Sequence, residues 1–312
     1  MRNASKSPPL FIRKFAQNKY YYLLLLPAFA WFIIFCYIPM YGVVIAFKDY
    51  KILEGILGSS WAQPGVFKYF SRLFESNTFW RSFWNTLIVS MQKILWGFPA
   101  PIIFALFLNE LRQKFFKKSV QTISYLPYFI SWVILGGILR DFLSVSGPIN
   151  AIVQLFGKPP VVFLGDTSMF RSVLVVTSIW QGVGWSSIVY LAAIAGVGTE
   201  QYEAAIVDGA NRLQTMWHIT LPGIKPIISI ILILSMGGLL NAGFDQVFNL
   251  YSASVYSVGD ILDTYIYRVG LVDFNYSLST ALSLMKNIIG LMLVLISNYA
   301  ARKIGGEESS LW

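Results

Sequence analysis

Long apolar runs alternate with short polar stretches along most of this chain. A helix that crosses a bilayer needs roughly 20 mostly apolar residues, and six runs reach that length. The first run is longer than a removable signal peptide and has no small-residue cleavage site after it, so we expect it to stay as an anchor. The six runs predict membrane spans at Tyr21–Phe47, Phe83–Leu108, Val120–Phe142, Ser172–Gly196, Pro226–Leu250 and Tyr276–Ala300.

The composition also indicates a membrane protein. Of the 312 residues, 56% are hydrophobic and only 12% are charged, and the mean hydropathy is +0.60. A soluble globular chain is about 25% charged, so this chain lacks the polar surface that water requires. The pattern predicts an all-α polytopic protein with one transmembrane domain at about residues 21–301, and it argues against a soluble enzyme.

Basic residues are concentrated in segments that would lie on one side of the membrane. The net charge is +9, and lysine and arginine favour the cytoplasmic side of a bilayer. We therefore predict that both termini are cytoplasmic, with a basic tail at 1–20 and a second tail at 302–312. Contact with anionic lipid is expected. No nucleic-acid partner is expected, because no basic stripe is interleaved with aromatic residues. The basic residues of this side are Arg2, Lys6, Arg13, Lys14, Lys19, Arg112, Lys114, Lys117, Lys118, Arg302 and Lys303.

The segment 49–82 lies between the first two predicted spans and is rich in aromatic residues. Its apolar side chains alternate with charged ones in a pattern typical of a helix that lies along a membrane surface. We predict an outer amphipathic segment here. Its apolar members are Phe67, Tyr69, Phe70, Leu73 and Phe74, and its charged members are Lys68, Arg72 and Glu75.

Few residues suited to catalysis are present. The chain has one cysteine, Cys36, and one histidine, His218, which excludes an intrachain disulfide and leaves little material for a zinc site or a cysteine–histidine pair. A membrane-embedded enzyme would need clustered acids, but the outer acids Asp260, Asp263 and Asp273 have no recognisable spacing. We expect these acids to be solvated. The P-loop motif G-x-x-x-x-G-K-[ST] is absent. The chain is therefore not expected to be an enzyme, and no catalytic, cofactor or metal site is predicted in it.

The loop at about 197–225, between the fourth and fifth spans, carries the most specific pattern. We predict a helix capped by Thr199, a turn at Gly209, and a second helix at 211–218 that Pro222 ends. On the second helix, Leu213, Met216 and Trp217 would share one apolar face. Such an element suits a groove on a partner better than it suits catalysis.

Within this loop, a long motif with fixed spacing resembles a known family. Glu203-Ala204-Ala205, Gly209 and Ile219-Thr220-Leu221-Pro222 fit the pattern E-A-A-x3-G-x9-I-x-L-P without a gap. That loop is the signature of permease subunits of binding-protein-dependent ABC importers. Asp208 before the glycine resembles the carbohydrate class that includes the maltose permeases. The segments 38–42 and 46–50 resemble its oligosaccharide or polysaccharide branch.

The resemblance implies a type I ABC importer permease fold and a mechanical role. The loop's helices would dock in a cleft of a separate cytoplasmic ATPase that holds ATP and Mg²⁺, with Glu203 as a polar anchor and Gly209 as the turn. Other implied partners are a second permease chain, expected to be different but related, two copies of the ATPase, and an extracellular or periplasmic solute-binding protein. The implied location is the bacterial cell membrane. The candidate coupling residues are Glu203, Ala204, Ala205, Asp208, Gly209, Leu213, Met216, Trp217, Leu221 and Pro222.

A path for a polar solute needs hydrogen-bonding groups and flat apolar faces inside the membrane, where polar groups are costly. Three clusters supply them, and in maltose-type permeases the corresponding stretches build the sugar pocket. The segment 241–245 departs from the family pattern, which suggests a different sugar. The same aromatic residues could instead form an interface belt, and the amides could join helices. The candidates are Tyr128, Ser131 and Trp132 in span three, Ser178, Trp180, Gly182 and Trp185 in span four, and Asn241, Asp245 and Gln246 in span five.

Two alternatives remain open from the sequence. An ABC import permease for an amino acid, a peptide or phosphate would share the loop, although the carbohydrate form of the motif argues against it. A self-contained secondary transporter would be expected to show ion-coupling charges within several spans, or inverted repeats with broken helices. Neither pattern is evident in the sequence.

Overall fold

The computed structural model describes residues 18–305, and within this range the chain is helical without a β-strand. The basic residues Arg2, Lys6, Arg13 and Lys14 lie outside it, as does most of the predicted C-terminal tail. We number the main helices α1 to α13 in chain order. They are Lys19–Phe47, Lys68–Glu75, Asn77–Glu110, Lys114–Phe129, Trp132–Phe142, Pro148–Leu155, Phe170–Ala195, Thr199–Val207, Arg212–Gly223, Lys225–Gly237, Phe244–Leu250, Leu262–Tyr267 and Tyr276–Gly305.

Within residues 18–305, four helices are long and apolar enough to cross a membrane, namely α1, α3, α7 and the part of α13 at Tyr276–Ile296. They correspond to predicted spans one, two, four and six. Span two starts earlier than predicted because Ser76 caps α3 and accepts a hydrogen bond from the Phe79 backbone N at 3.3 Å.

The predicted spans three and five are not single straight helices. In span three, α4 and α5 meet at an angle of 106°. Pro127 lies in the last turn of α4, and Ser131 caps α5 by accepting from the Ile134 backbone N at 3.5 Å. The chain therefore ends one helix and starts another inside the apolar run. The count becomes six when each bent pair of helices is taken as one span.

Span five was predicted to continue to residue 250, and the structure breaks it after Gly237. A non-helical stretch follows, in which Gly243 has φ +85°, and α11 then starts at Phe244. A positive φ is readily adopted only by glycine. Helices α9 and α10, which precede this break, meet at an angle of 60°. Averaged over a whole span, the hydropathy does not show the breaks inside spans three and five, because the apolar residues on both sides outweigh the few polar ones.

Helix α7 lies at the centre of the bundle and contacts α3 and α4. Its closest approach is at Gly184, where an added Cβ would lie 2.2 Å from the Ser124 carbonyl oxygen of α4. Small residues permit such approaches between membrane helices. In contrast, α1 is exposed along most of its length, and its last turns pack against α13.

The outer amphipathic segment packs on the protein instead of lying only along the membrane as predicted. Tyr69 and Leu73 of α2 are buried in a core shared with α12 and α13. The Asp49 carboxylate, which follows α1, holds α2 in place. It accepts hydrogen bonds from Lys68 at 2.6 Å and from the Tyr69 hydroxyl at 2.7 Å. These two bonds hold the pKa of Asp49 below its usual value of 3.8.

The prediction that the outer acids are solvated is wrong for Asp260 and Asp263. Asp260 is fully buried and accepts hydrogen bonds from Arg268 at 3.2 and 2.6 Å, while Asp263 pairs with Lys286 of α13. The segment that contains these acids folds back against α3 and α13, so the Asp260 carboxylate leaves water completely and the Asp263 carboxylate in part, and each is paired with a cation. Asp273 is exposed, as expected.

Candidate functional site

The predicted loop forms a two-helix unit, which we call the coupling element, residues 199–223. Helix α8 ends at Val207, and Gly209 turns the chain with φ +77°. The Ala210 backbone N donates a hydrogen bond to the Ala205 carbonyl at 2.9 Å, which caps the C-terminal end of α8. The glycine of the motif therefore occupies a left-handed position that glycine favours.

The caps of this element differ from the prediction. Thr199 is the first helical residue of α8, and the cap position belongs to Gly198, which has no side chain to donate or accept. The prediction for Thr199 is therefore wrong. The N-terminus of α9 is capped by two reciprocal hydrogen bonds. Gln214 N donates to Asn211 Oδ1 at 3.0 Å, and Asn211 N donates to Gln214 Oε1 at 2.8 Å. The spacing Asn-x-x-Gln is a capping-box pattern that could have been recognised from the sequence.

The coupling element is fixed to the membrane helices by α9. Met216 and Thr220 are buried, and Met216 belongs to an apolar core with Ile102 of α3 and Tyr190 of α7. The predicted shared face of Leu213, Met216 and Trp217 is therefore divided, because Met216 faces the core and the other two are exposed. The helix also continues through Pro222 to Gly223 instead of ending at Pro222.

The rest of the coupling element presents an apolar surface to its surroundings. Both carboxylates of the motif, Glu203 and Asp208, are exposed beside this surface, and neither has a side-chain hydrogen bond or ion pair within residues 18–305. Ala204 is exposed, whereas Ala205 and Leu221 are half-buried. The exposed apolar side chains are Ile206 at 70%, Val207 at 86%, Leu213 at 62% and Trp217 at 60%.

A cavity of about 420 Å³ lies among α3, α7 and the α10 region, and we call it the central cavity. It contains Tyr128, Ser178, Gly182 and Asn241 of the predicted substrate residues, one or two from each predicted cluster. Hydroxyl and amide groups alternate with apolar side chains along its wall, as is typical of small-ligand sites. The other polar groups of the wall are Ser90, Lys93, Gln181, Ser186, Tyr190 and Ser235.

Tyr128 and Trp185 form a flat aromatic pair at this site. Their rings are stacked with centroids 4.8 Å apart and planes inclined by 6°. Tyr128 lines the cavity, and its carbonyl accepts a hydrogen bond from Gln181 at 3.5 Å. Trp185 therefore supports the cavity through Tyr128.

The structure does not bring the remaining predicted residues to this cavity. Trp180 lines a separate apolar cavity of about 380 Å³ with Phe142. Ser131 and Trp132 lie at the break of span three, and Asp245 is exposed outside the cavity wall. Gln246 is buried, and its amide nitrogen donates to Leu174 O at 2.8 Å and to Thr177 Oγ1 at 2.7 Å. The Gln246 amide thus joins α11 to α7, which leaves it unavailable to a ligand in this conformation.

Lys93 is the charged residue among the described cavity residues that were not predicted from the sequence. It lies near the middle of α3, and its Nζ donates to the Ala242 carbonyl at 2.7 Å and to Gln246 Oε1. A second lysine, Lys286 of α13, lines a neighbouring cavity of about 480 Å³ and is paired with Asp263. A lysine inside an apolar run is itself a signal of function in a membrane span.

Residues 97–304 match the family of binding-protein-dependent transport system inner membrane components. The chain belongs to this family. Relatives of this permease in Bacillus subtilis strain 168 include the protein LplB, 44% identical, and the polygalacturonan/rhamnogalacturonan transport system permease protein YteP, 45% identical. The alignments cover 93% and 94% of this chain and 91% of each relative.

The fold of the permease also matches solved structures. A chain of a bacterial ABC transporter involved in the import of the acidic polysaccharide alginate aligns with a TM-score of 0.86 and 40% identity, over 95% of this chain and 99% of that one. A chain of the alginate transporter in complex with an alginate pentasaccharide-bound periplasmic protein aligns with a TM-score of 0.85. These matches confirm the predicted family, the type I permease fold and the multi-pass membrane location. They also identify the chain as a permease component of an importer instead of an enzyme.

Proposed function

We propose that this chain is the transmembrane subunit of an ATP-driven oligosaccharide importer and that its coupling element docks a separate cytoplasmic ATPase. The observation that carries this proposal is the division of the element into two faces. Met216 and Thr220 anchor it in the bundle, while Ile206, Val207, Leu213 and Trp217 remain exposed. An exposed helical surface of this kind fits a groove on a partner.

A continuous packed route leads from the coupling element to the central cavity. Met216 and Tyr190 belong to the same apolar core, and Tyr190 also lines the cavity. Close-packed side chains transmit displacement instead of absorbing it. A movement of the docked ATPase would therefore shift α9 and, through this core, the wall of the cavity.

The chemistry of the central cavity supports a saccharide as the transported solute. Serine hydroxyls and the amides of Gln181 and Asn241 supply donors and acceptors for sugar hydroxyl groups, and the stacked Tyr128 supplies a flat face. The relatives named as transporters of polygalacturonan/rhamnogalacturonan and of alginate support the same substrate class. Import of an amino acid, a peptide or phosphate is not favoured by them.

The same proposal includes the remaining subunits and the direction of insertion. The chain would form half of the path with a second, related permease, and would work with two ATPase copies and an external solute-binding protein. The C-terminal part of α3 and the coupling element share one core, so the basic residues that follow α3 lie on the coupling side. This arrangement supports a cytoplasmic location for both termini, given the positive-inside rule.

The docking part of the proposal can be tested with charge reversals. The chain is expressed with its genomic neighbours, and the ATPase that co-purifies in detergent is quantified. Glu203→Lys should reduce the recovered ATPase about tenfold or more, because a buried interfacial charge of the wrong sign costs several kcal/mol. Glu75→Lys, an exposed reversal at the end of α2, is the matched control. Equal ATPase recovery with both variants would contradict the proposal.

A further inference from the structure

We propose that Lys93 is an anion-binding residue of the central cavity and that the transported saccharide is acidic, with a carboxylate that contacts the Lys93 ammonium. This inference rests on the proposed function and specifies its substrate class. It is carried by the electrostatic balance of the cavity wall.

The central cavity contains an unneutralised cation. Among the described residues that line it, Lys93 is the one with a charged side chain, and no carboxylate is present. The two groups that Lys93 contacts, the Ala242 carbonyl and the Gln246 amide oxygen, are neutral. None of the ion pairs found within residues 18–305 includes Lys93. The cavity therefore has a net positive charge whenever it contains no anion.

A helix break alone does not require a charge here. The Ala242 carbonyl lies just before Gly243, where the chain is not helical, so it needs a donor. A neutral amide side chain would satisfy it at lower cost, because an ionised lysine near the middle of a membrane helix is expensive. The positive charge exceeds what the local structure demands, which indicates a use in binding.

Lys286 shows how the same protein treats a structural cation. It also lies in a membrane helix and also lines a cavity, but its ammonium is paired directly with the Asp263 carboxylate. Its charge is therefore already balanced by the chain. In contrast, the positive charge of Lys93 can be neutralised only by an anion that is not part of the described chain.

The ammonium of Lys93 retains capacity for such a ligand. It has three donor hydrogens, and the two contacts in the structure use two of them. A carboxylate on a sugar ring could accept the third in a charge-assisted bond, while neighbouring serine and amide groups bind its hydroxyls. Steric access is given by the cavity itself, which Lys93 lines together with Ser178 and Asn241.

The experiment uses the complete importer in proteoliposomes with its own binding protein. The substrates are a trigalacturonate and its neutral methyl ester, each at a concentration that saturates the binding protein. The measured quantity is the ratio of uptake of the acid to uptake of the ester. Because the binding protein is unchanged between variants, a change in this ratio reports on the permease.

In the wild-type importer, the acid should be taken up faster than the ester. Lys93→Gln, which keeps a donor for the Ala242 carbonyl, should lower the acid-to-ester ratio about tenfold, the effect of one charge-assisted hydrogen bond. Lys93→Arg should keep the ratio. Lys118→Gln, the same change at an exposed lysine of α4 outside the cavity wall, should also keep it.

Two results would overturn the inference. The first is equal uptake of acid and ester by the wild-type importer, a result that does not depend on whether any variant folds. The second is a Lys93→Gln importer that assembles and retains the wild-type ratio. If the wild-type importer accepts no saccharide at all, the proposed function itself fails, so the two failures are distinguishable.

Discussion

The hydroxyl of Tyr202 donates a hydrogen bond to the hydroxyl of Thr220 across 3.0 Å. This bond joins the two helices of the coupling element, and Thr220 is itself buried against the bundle. The exposed surface of α8 is thus connected to the part of α9 that enters the protein core. To transmit a movement of the ATPase to the bundle, the coupling element has to move as one body.

Removing this bond should loosen the coupling element without removing its surface. Tyr202→Phe deletes one partner of a half-buried hydrogen bond, a loss of about 1 kcal/mol. We expect the number of solute molecules imported per ATP hydrolysed to fall, while ATPase recovery stays close to normal. Flux and hydrolysis measured together in proteoliposomes test this. Tyr41→Phe, an exposed tyrosine of α1, is the control and should leave the ratio unchanged.

The turn at Gly209 should tolerate asparagine but reject proline. Proline fixes φ near −65°, whereas Gly209 has φ +77° and its backbone N donates to Ile206 at 3.1 Å. Asparagine adopts the left-handed region several-fold more readily than most residues, and nothing lies within 4 Å of an added Cβ. Co-purification of the ATPase should be lost with Gly209→Pro and retained with Gly209→Asn. Full ATPase recovery with the proline variant would show that the turn is dispensable.

The contact between α7 and α4 should be sensitive to one methyl group. At Gly184 an added Cβ would lie 2.2 Å from the Ser124 carbonyl oxygen, so the helices would have to separate. Overpacking of this kind costs about 1–3 kcal/mol. Gly184→Ala should lower the thermal unfolding temperature of the purified protein. Gly137→Ala has nothing within 4 Å and serves as the matched control. Equal unfolding temperatures for the two variants would contradict the described helix contact.

The two tryptophans of α7 should differ in their effect on transport. Trp185→Ala removes the ring stacked on Tyr128, and aromatic pairs contribute about 0.5–1.5 kcal/mol beyond their buried area. We expect uptake at low solute concentration to fall several-fold, up to about tenfold. Trp180 faces a separate apolar cavity, so Trp180→Ala should reduce uptake less. If Trp180→Ala reduced uptake more than Trp185→Ala does, Trp180 would have to be placed on the substrate path.

Hydropathy and one spaced motif were sufficient to predict the class of the protein. They predicted six membrane spans, of which four are single helices long enough to cross a membrane in the described residues, and they also predicted the loop between the fourth and fifth apolar runs and the turn at Gly209. They could not predict the breaks in spans three and five, because Ser131 and Gly243 change the average hydropathy of their apolar runs too little to show that one helix ends there and another begins. At these two positions, local backbone and capping interactions end a helix even though the apolar run is long enough to continue it.

Side-chain environment was the other feature that the sequence did not reveal. Gln246 and Asn241 are both amides in one segment, yet the first is buried against α7 and the second lines the central cavity. Asp260 was expected to be solvated, but it is buried and forms an ion pair with Arg268. Such outcomes depend on which distant helix packs nearby, and one-dimensional patterns do not contain that information.

In the proposed importer, the exposed face of the coupling element contacts a separate ATPase. The most direct measurement is cross-linking from Val207→Cys in a Cys36→Ser background, with the adduct identified by mass spectrometry. Val207 is among the most exposed residues of that face, and Leu57→Cys, similarly exposed in the segment between α1 and α2, is the control. We expect an adduct with a P-loop ATPase from Val207→Cys and none from Leu57→Cys. An assembled importer in which Val207→Cys gives no ATPase adduct would contradict docking through this face.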